Sequence, residues 1–151
     1  HGAPVIEAVD ASGLSVTVVA GQWHDVIAEG LIAGAVGYLE RTGAEISVIR
    51  VPGSFELPLA CQHALAHGAD AVVALGVIVR GGTPHFEYVA SATTHGLTRV
   101  ALDAGKPVGF GVLTVDTDEQ GIDRAGLEGS SEDKGGEAAD AAVRLALSLR
   151  R

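Results

Sequence analysis

The chain has 151 residues, 47% hydrophobic and only 4% aromatic, which is the length of one domain with a core packed from small side chains. Its 19 acidic residues outweigh 10 Lys and Arg for a formal charge of -9, and Arg150-Arg151 is the only basic pair of note, so a nucleic-acid partner is disfavoured. No stretch approaches the ~18 apolar residues of a spanning helix or has the layout of a signal peptide, so a cytoplasmic protein with no membrane partner is expected.

His1-Gly2 lacks an initiator Met, reads as a remnant or a truncation scar, and carries no weight in the fold. Ala3 to Ala8 is short and apolar-leaning. Within one domain covering 1–151, residues 1–10 are expected to form an N-terminal arm that adds to a neighbouring subunit's sheet edge. Four apolar runs then alternate with helix-like stretches, the pattern of a βαβ array. The strands are expected at Ser15 to Ala20, Glu45 to Val51, Ala71 to Val79 and Pro107 to Thr114. Helices are expected near Asp25 to Thr42, Phe55 to His67, Pro84 to Ala104, Asp118 to Ala125 and Ser131 to Leu149. The single cysteine, Cys61, excludes an internal disulfide, and its setting LPLACQHAL reads as buried packing.

The third strand, AVVALGVIV, lacks polar alternation, as suits a strand buried on both faces of a parallel sheet. After it come Arg80, Gly81, Gly82, Thr83, Pro84 and His85. Thr83 reads as a helix N-cap and Pro84 as the first helical residue, leaving free amides for an anion. Arg80 reads as an anion holder and His85 as a proton carrier near neutral pH, or as a hydrogen-bonded structural histidine. Near the C-terminus, Thr117 and Gln120 have capping-box spacing and Gly126 reads as the helix stop. Ala138, Ala142, Leu145 and Leu149 make one apolar stripe, either core or subunit contact.

Ligands of open parallel sheets bind beyond the carboxyl ends of the strands, which selects the residues just past each one. Trp23 follows the first strand, where it either stacks on a flat heterocycle or packs over the sheet end. Ser54, Phe55 and Glu56 follow the second; Glu56 either holds ligand hydroxyls or simply suits the helix dipole. Arg124 likewise suits a helix C-terminus, and Lys134 reads as a solvated charge. The spacings of a nucleoside-triphosphate P-loop, GxGxxG, HExxH, CxxC and Gly-x-Ser-x-Gly are absent, so kinase, metal-hydrolase and serine-hydrolase readings are weak and no metal is expected.

Taken in order, Gln22-Trp23-His24, the segment from Pro52 to Pro58, the block from Gly76 through Arg80-Gly81-Gly82-Thr83-Pro84-His85-Phe86 to Val89, Phe110 to Thr114 and Arg124-Ala125-Gly126 resemble the lumazine synthase family over almost the whole chain. The resemblance implies a three-layer αβα sandwich with a central four-stranded parallel sheet, flavodoxin-like in type. It also implies a cofactor-free transferase of riboflavin biosynthesis that condenses 5-amino-6-(D-ribitylamino)uracil with 3,4-dihydroxy-2-butanone 4-phosphate, releasing phosphate and water. On that likeness Trp23 stacks on the pyrimidine, Ser54, Phe55 and Glu56 meet the ribityl chain, and Val77, Ile78 and Val79 border the ring. Gly82, Thr83 and Arg124 hold the phosphate and His85 donates protons. Arg124 and Phe110 come from an adjacent subunit, and Lys134 matches a nearby family lysine. The connection LEGSSED from Gly126 to Lys134 is longer than in shell-forming members, which implies a homopentamer. A flavin-binding module without turnover and a purely structural assembly protein are the competing readings.

Overall fold

The computed structural model describes residues 3–150, and the readings of His1-Gly2 and Arg151 lie outside them. Strands β1 (Ser15–Gly21), β2 (Glu45–Val51), β3 (Ala71–Val79) and β4 (Val108–Val115) form one parallel sheet in the order β2-β1-β3-β4. Helices α1 (Asp25–Thr42) and α5 (Lys134–Leu149) share one face, with α4 (Asp118–Arg124) beside α1, while α2 (Leu57–Ala66) and α3 (His85–Ala104) share the other. This is the expected three-layer αβα arrangement. Successive residues of β3 serve opposite cores: Ala71, Val73, Leu75 and Val77 pack toward α1 and α5, and Val72, Ala74 and Ile78 toward α2 and α3. Two-sided burial explains why this strand reads as an unbroken apolar run.

Element boundaries shift where a specific backbone bond decides them. Ser54–Glu56 forms a 3-10 turn ahead of α2, so the helix expected from Phe55 starts at Leu57. The last helix starts at Lys134 instead of Ser131. The amides of Ser131 and Glu132 both donate to the Asp123 carbonyl, so they are tied to α4, and Asp133 caps the helix by accepting from the Gly136 amide at 2.9 Å. Thr117 caps α4 as expected, but the Gln120 side chain reaches the Asp116 amide and not that of Thr117. Gly126, at φ 67, lies just past the end of α4, with Ala125 as its cap. The apolar stripe of α5 divides: Ala138 and Ala142 are core, while Leu145 and Leu149 are 48% and 61% exposed.

The segment before β1 has no regular structure in the single chain. Arg41 donates to the Ile6 carbonyl and Arg144 to that of Glu7, and Ile6, Ala8 and Val9 pack on the α1–α5 core. Both sheet edges, β2 and β4, lack a strand partner among the described residues.

Helices α1 and α5 meet closely at Gly135, where a Cβ would collide with the Leu31 carbonyl oxygen. Backbone cannot yield as a side-chain tip can. Gly135→Ala is therefore expected to lower stability by about 1–3 kcal/mol; a urea midpoint equal to that of the parent chain would contradict this contact. Farther along the same seam, buried Tyr38 donates its hydroxyl to Asp140 at 2.5 Å. Burial first, and then the adjacent carboxylate, push its pKa up to about 12. The folded state thus favours the neutral phenol over the unfolded value of about 10. That contribution is complete below about pH 10 and is lost as pH rises toward 12, so Tyr38→Phe should flatten the alkaline fall in urea stability.

Cys61 is fully buried on the inner face of α2, and burial pushes its thiol up to about 12. It packs as a small apolar side chain, as its sequence setting implies.

Candidate active site

Strand order reverses between β1 and β3: the chain leaves β1 toward β2 and leaves β3 toward β4. Such a switch point opens a crevice at the carboxyl ends of the strands. A cavity of about 710 Å3 lies there, lined by Trp23, His24, Gly53, Ser54, Phe55, Glu56, Val77, Ile78, Val79, His85, Tyr88, Val89 and Ala92. Its size is within the range of small-molecule sites, ~300–1,000 Å3. Eight of the expected residues therefore meet in one place: Trp23, Ser54, Phe55, Glu56, Val77, Ile78, Val79 and His85.

Each wall has a local cause. Trp23 leans over Gly53, where a Cβ would sit 3.1 Å from the indole Nε1 and 3.3 Å from Glu56 Oε1. A larger residue at position 53 would push the indole and the carboxylate off this wall. The 3-10 turn is held from behind by α3, because buried Thr93 donates its hydroxyl to the Ser54 carbonyl at 3.2 Å. Ser54 is itself buried, with its hydroxyl against Gly76 of β3. Phe55, Trp23 and Tyr88 remain 64%, 69% and 74% exposed, an unusual display of aromatic surface in a chain with so few aromatics.

His24 and Gly53, which lie just past the ends of β1 and β2 where the strand-end rule looks, also line the cavity, while Tyr88, Val89 and Ala92 fall outside the set expected from the sequence. Counted from His85, positions 88, 89 and 92 follow helical spacing, which was the available signal. His24 has an unusual backbone. It is the one non-glycine with positive φ among the described residues, at φ 61 and ψ 62, and its Nδ1 is 3.9 Å from Asp118 Oδ1. A second cavity, about 610 Å3, lies between Ala3–Ile6 and the 126–129 loop and gathers none of the expected set.

The turn after β3 differs in detail from its sequence reading. α3 begins at His85 with Pro84 in the cap position, and Thr83 Oγ1 accepts from the His85 amide at 3.4 Å. Gly82, Thr83 and His85 are all exposed. Among the described residues nothing accepts from the Gly82 or Thr83 amide. Arg80 is not an available anion holder. Its guanidinium is engaged by Asp116 and Glu87.

Arg124, Lys134 and Phe110 are not in this cavity. Arg124 donates to the Gln120 carbonyl at 2.9 Å and lies 3.7 Å from Glu132, which also pairs with Lys134 at 3.0 Å. Phe110 and Lys134 line a separate groove along β4 and α5, with Phe110 49% exposed on the free sheet edge. One chain therefore presents the expected residues in separate groups on different surfaces.

Among the described residues no helix is long and apolar enough to cross a membrane. The family model for 6,7-dimethyl-8-ribityllumazine synthase matches residues 13–150. Relatives bearing that name include one from Clavibacter michiganensis subsp. michiganensis, 66% identical over 99% of this chain and 95% of the relative. Others are from Leifsonia xyli subsp. xyli, 67% identical over 99% and 95%, and from Streptomyces coelicolor, 54% identical over 99% and 93%. With a family model matched from the start of the sheet to the end of α5, and relatives of this likeness along nearly their whole length, the chain belongs to the 6,7-dimethyl-8-ribityllumazine synthase family.

Proposed function

We propose that the cavity at the β1–β3 switch point is where this enzyme of riboflavin biosynthesis condenses 5-amino-6-(D-ribitylamino)uracil with 3,4-dihydroxy-2-butanone 4-phosphate to give 6,7-dimethyl-8-ribityllumazine. The observation that carries the assignment is the meeting of Trp23, the Ser54–Glu56 turn, Val77–Val79 and His85 around one space. The indole offers a face for the pyrimidine, and strand-end backbone at Val77 to Val79 borders the ring. Glu56 accepts from ribityl hydroxyls. The exposed Gly82 and Thr83 amides take the phosphate, with Arg124 as the second charge.

The substrate amine adds to the ketone, and loss of water gives an imine. Loss of the proton at C3 then expels phosphate from C4 and leaves an enol. A proton added at C4 turns that enol into a new C3 carbonyl, and the second nitrogen closes the ring on it with loss of water. Each step moves a proton, and His85 is the titratable side chain between the ring pocket and the phosphate turn. Holding both substrates together supplies much of the remaining acceleration.

Arg124, Lys134 and Phe110 serve the cavity of an adjacent subunit in a homopentamer in the cytoplasm. This reading accounts for the separation of the two groups of residues and for exposed Phe110 and Leu145 beside an unpaired strand edge. Helix α4 and the 127–133 loop, longer than a tight turn, are tied together by the Asp123–Ser131 and Ala125–Asp133 contacts at the corner carrying Arg124. Purified protein mixed with both substrates should form the lumazine product, read by its absorbance, in particles near five times the 15.3 kDa chain mass. Binding of both substrates without product would sink the catalytic assignment, and a capsid-sized particle would sink the pentamer.

A further inference from the structure

Arg80 leaves β3 just before the Gly81–Pro84 turn, and its side chain reaches across that turn. Its Nε donates to Asp116 Oδ1 at 2.8 Å and its Nη1 to Glu87 Oε1 at 2.9 Å, while the guanidinium carbon lies 4.4 Å from the centre of the Phe86 ring. The Arg80 amide also donates to the Val115 carbonyl at 2.8 Å, prolonging the β3–β4 ladder. One side chain therefore joins the end of β3, the first turn of α3 and the connection after β4.

The side chain is half exposed, and ion pairs in such settings contribute little to folding. Its geometric effect is more specific. The turn it spans holds two adjacent glycines and only one long side-chain bond, Thr83 Oγ1 to the His85 amide. Phe86 and Glu87 directly follow His85, so Arg80, standing at the start of the turn, grips the chain just past its end. Both carboxylates engage the one guanidinium, so it has no positive charge left to offer a phosphate dianion, which separates bracing from ligation.

We propose that Arg80 is a positioning residue: with Asp116, Glu87 and Phe86 it braces the 81–84 turn so that the Gly82 and Thr83 amides and the His85 imidazole address the same phosphate-bearing substrate. The proposal rests on the reading that this turn binds the phosphate ester. Its function is geometric, so a lysine, which has charge but no fork, does not replace it.

Steady-state kinetics of the assembled enzyme test it with Arg80→Gln, Arg80→Lys, Asp116→Asn and Glu87→Gln. The two Arg80 variants should raise KM for the butanone phosphate about tenfold and lower kcat, and the carboxylate variants should move both in the same direction. Affinity for the ribitylaminouracil, read from fluorescence of the single Trp23, should stay within about twofold of the parent. A direct phosphate ligand behaves oppositely: lysine rescues it, and removing either carboxylate lowers KM by freeing the guanidinium. That result overturns the proposal, as does an equal loss of affinity for both substrates accompanied by a fall in Tm. Gly82→Pro deletes one turn amide at a position where a side chain meets open space. If KM for the butanone phosphate is unchanged in Gly82→Pro, the phosphate does not bind at this turn and both readings fail. If it rises there while the Arg80 variants match the parent, only the bracing role fails.

Discussion

Replacing His85 by alanine lowers kcat by about a hundredfold to ten-thousandfold, the range for removing a positioned proton-transfer group. His85 is exposed at the first position of α3, lines the ring cavity and follows the phosphate turn directly. Its truncation removes an imidazole without disturbing a core contact. Tm and the affinity for the ribitylaminouracil, followed through Trp23 fluorescence, should therefore hold while turnover collapses. Unchanged turnover would remove His85 from the mechanism. Reduced pyrimidine affinity with unchanged kcat would make it a binding residue instead.

Arg124→Ala is expected to raise KM for the butanone phosphate by one to two orders of magnitude, as loss of a charge-assisted phosphate contact implies, on the order of 1.5–3 kcal/mol. The more decisive result comes from mixing. Assayed at butanone phosphate well below the raised KM, where each is weakly active alone, Arg124→Ala and His85→Ala chains should regain activity when dissociated together and reassembled. In a random mixture about a quarter of interfaces pair an intact His85 with an intact Arg124 from the neighbour, since each chain supplies only one of the two to a given cavity. No recovery, in particles shown by mass to contain both variants, would mean that each chain completes its own site. In the single chain Arg124 is held by the Gln120 carbonyl and faces Glu132, on a surface that shares no lining residue with the cavity. That separation is the physical reason to expect recovery.

Much of the fold was legible because its signals are local. The buried run of β3, the span of α1 and the capping of α4 by Thr117 follow from apolar period and cap chemistry. Less legible were features set by long-range backbone bonds. The late start of α5 depends on Asp123 accepting from two amides of the following loop. The 3-10 turn at Ser54–Glu56 is anchored by Thr93, thirty-nine residues away in sequence. His24 was reachable by its place just past β1, but its left-handed backbone conformation is not announced by its residue type.

By itself, the sequence determined the parallel βαβ array, the strand ends at which chemistry gathers, and the family, because apolar periodicity and contiguous motifs are properties of neighbouring residues. Only the tertiary structure decided which candidates share a space. It placed Trp23, Glu56 and His85 around one cavity, left Phe110 and Lys134 in another groove, and put Arg80 between two carboxylates instead of leaving it free for an anion. A side chain's partners are set by strand order and helix packing, which bring together residues far apart in the chain. The charge that Arg80 presents therefore depends on Asp116 and Glu87, and no local motif encodes their approach.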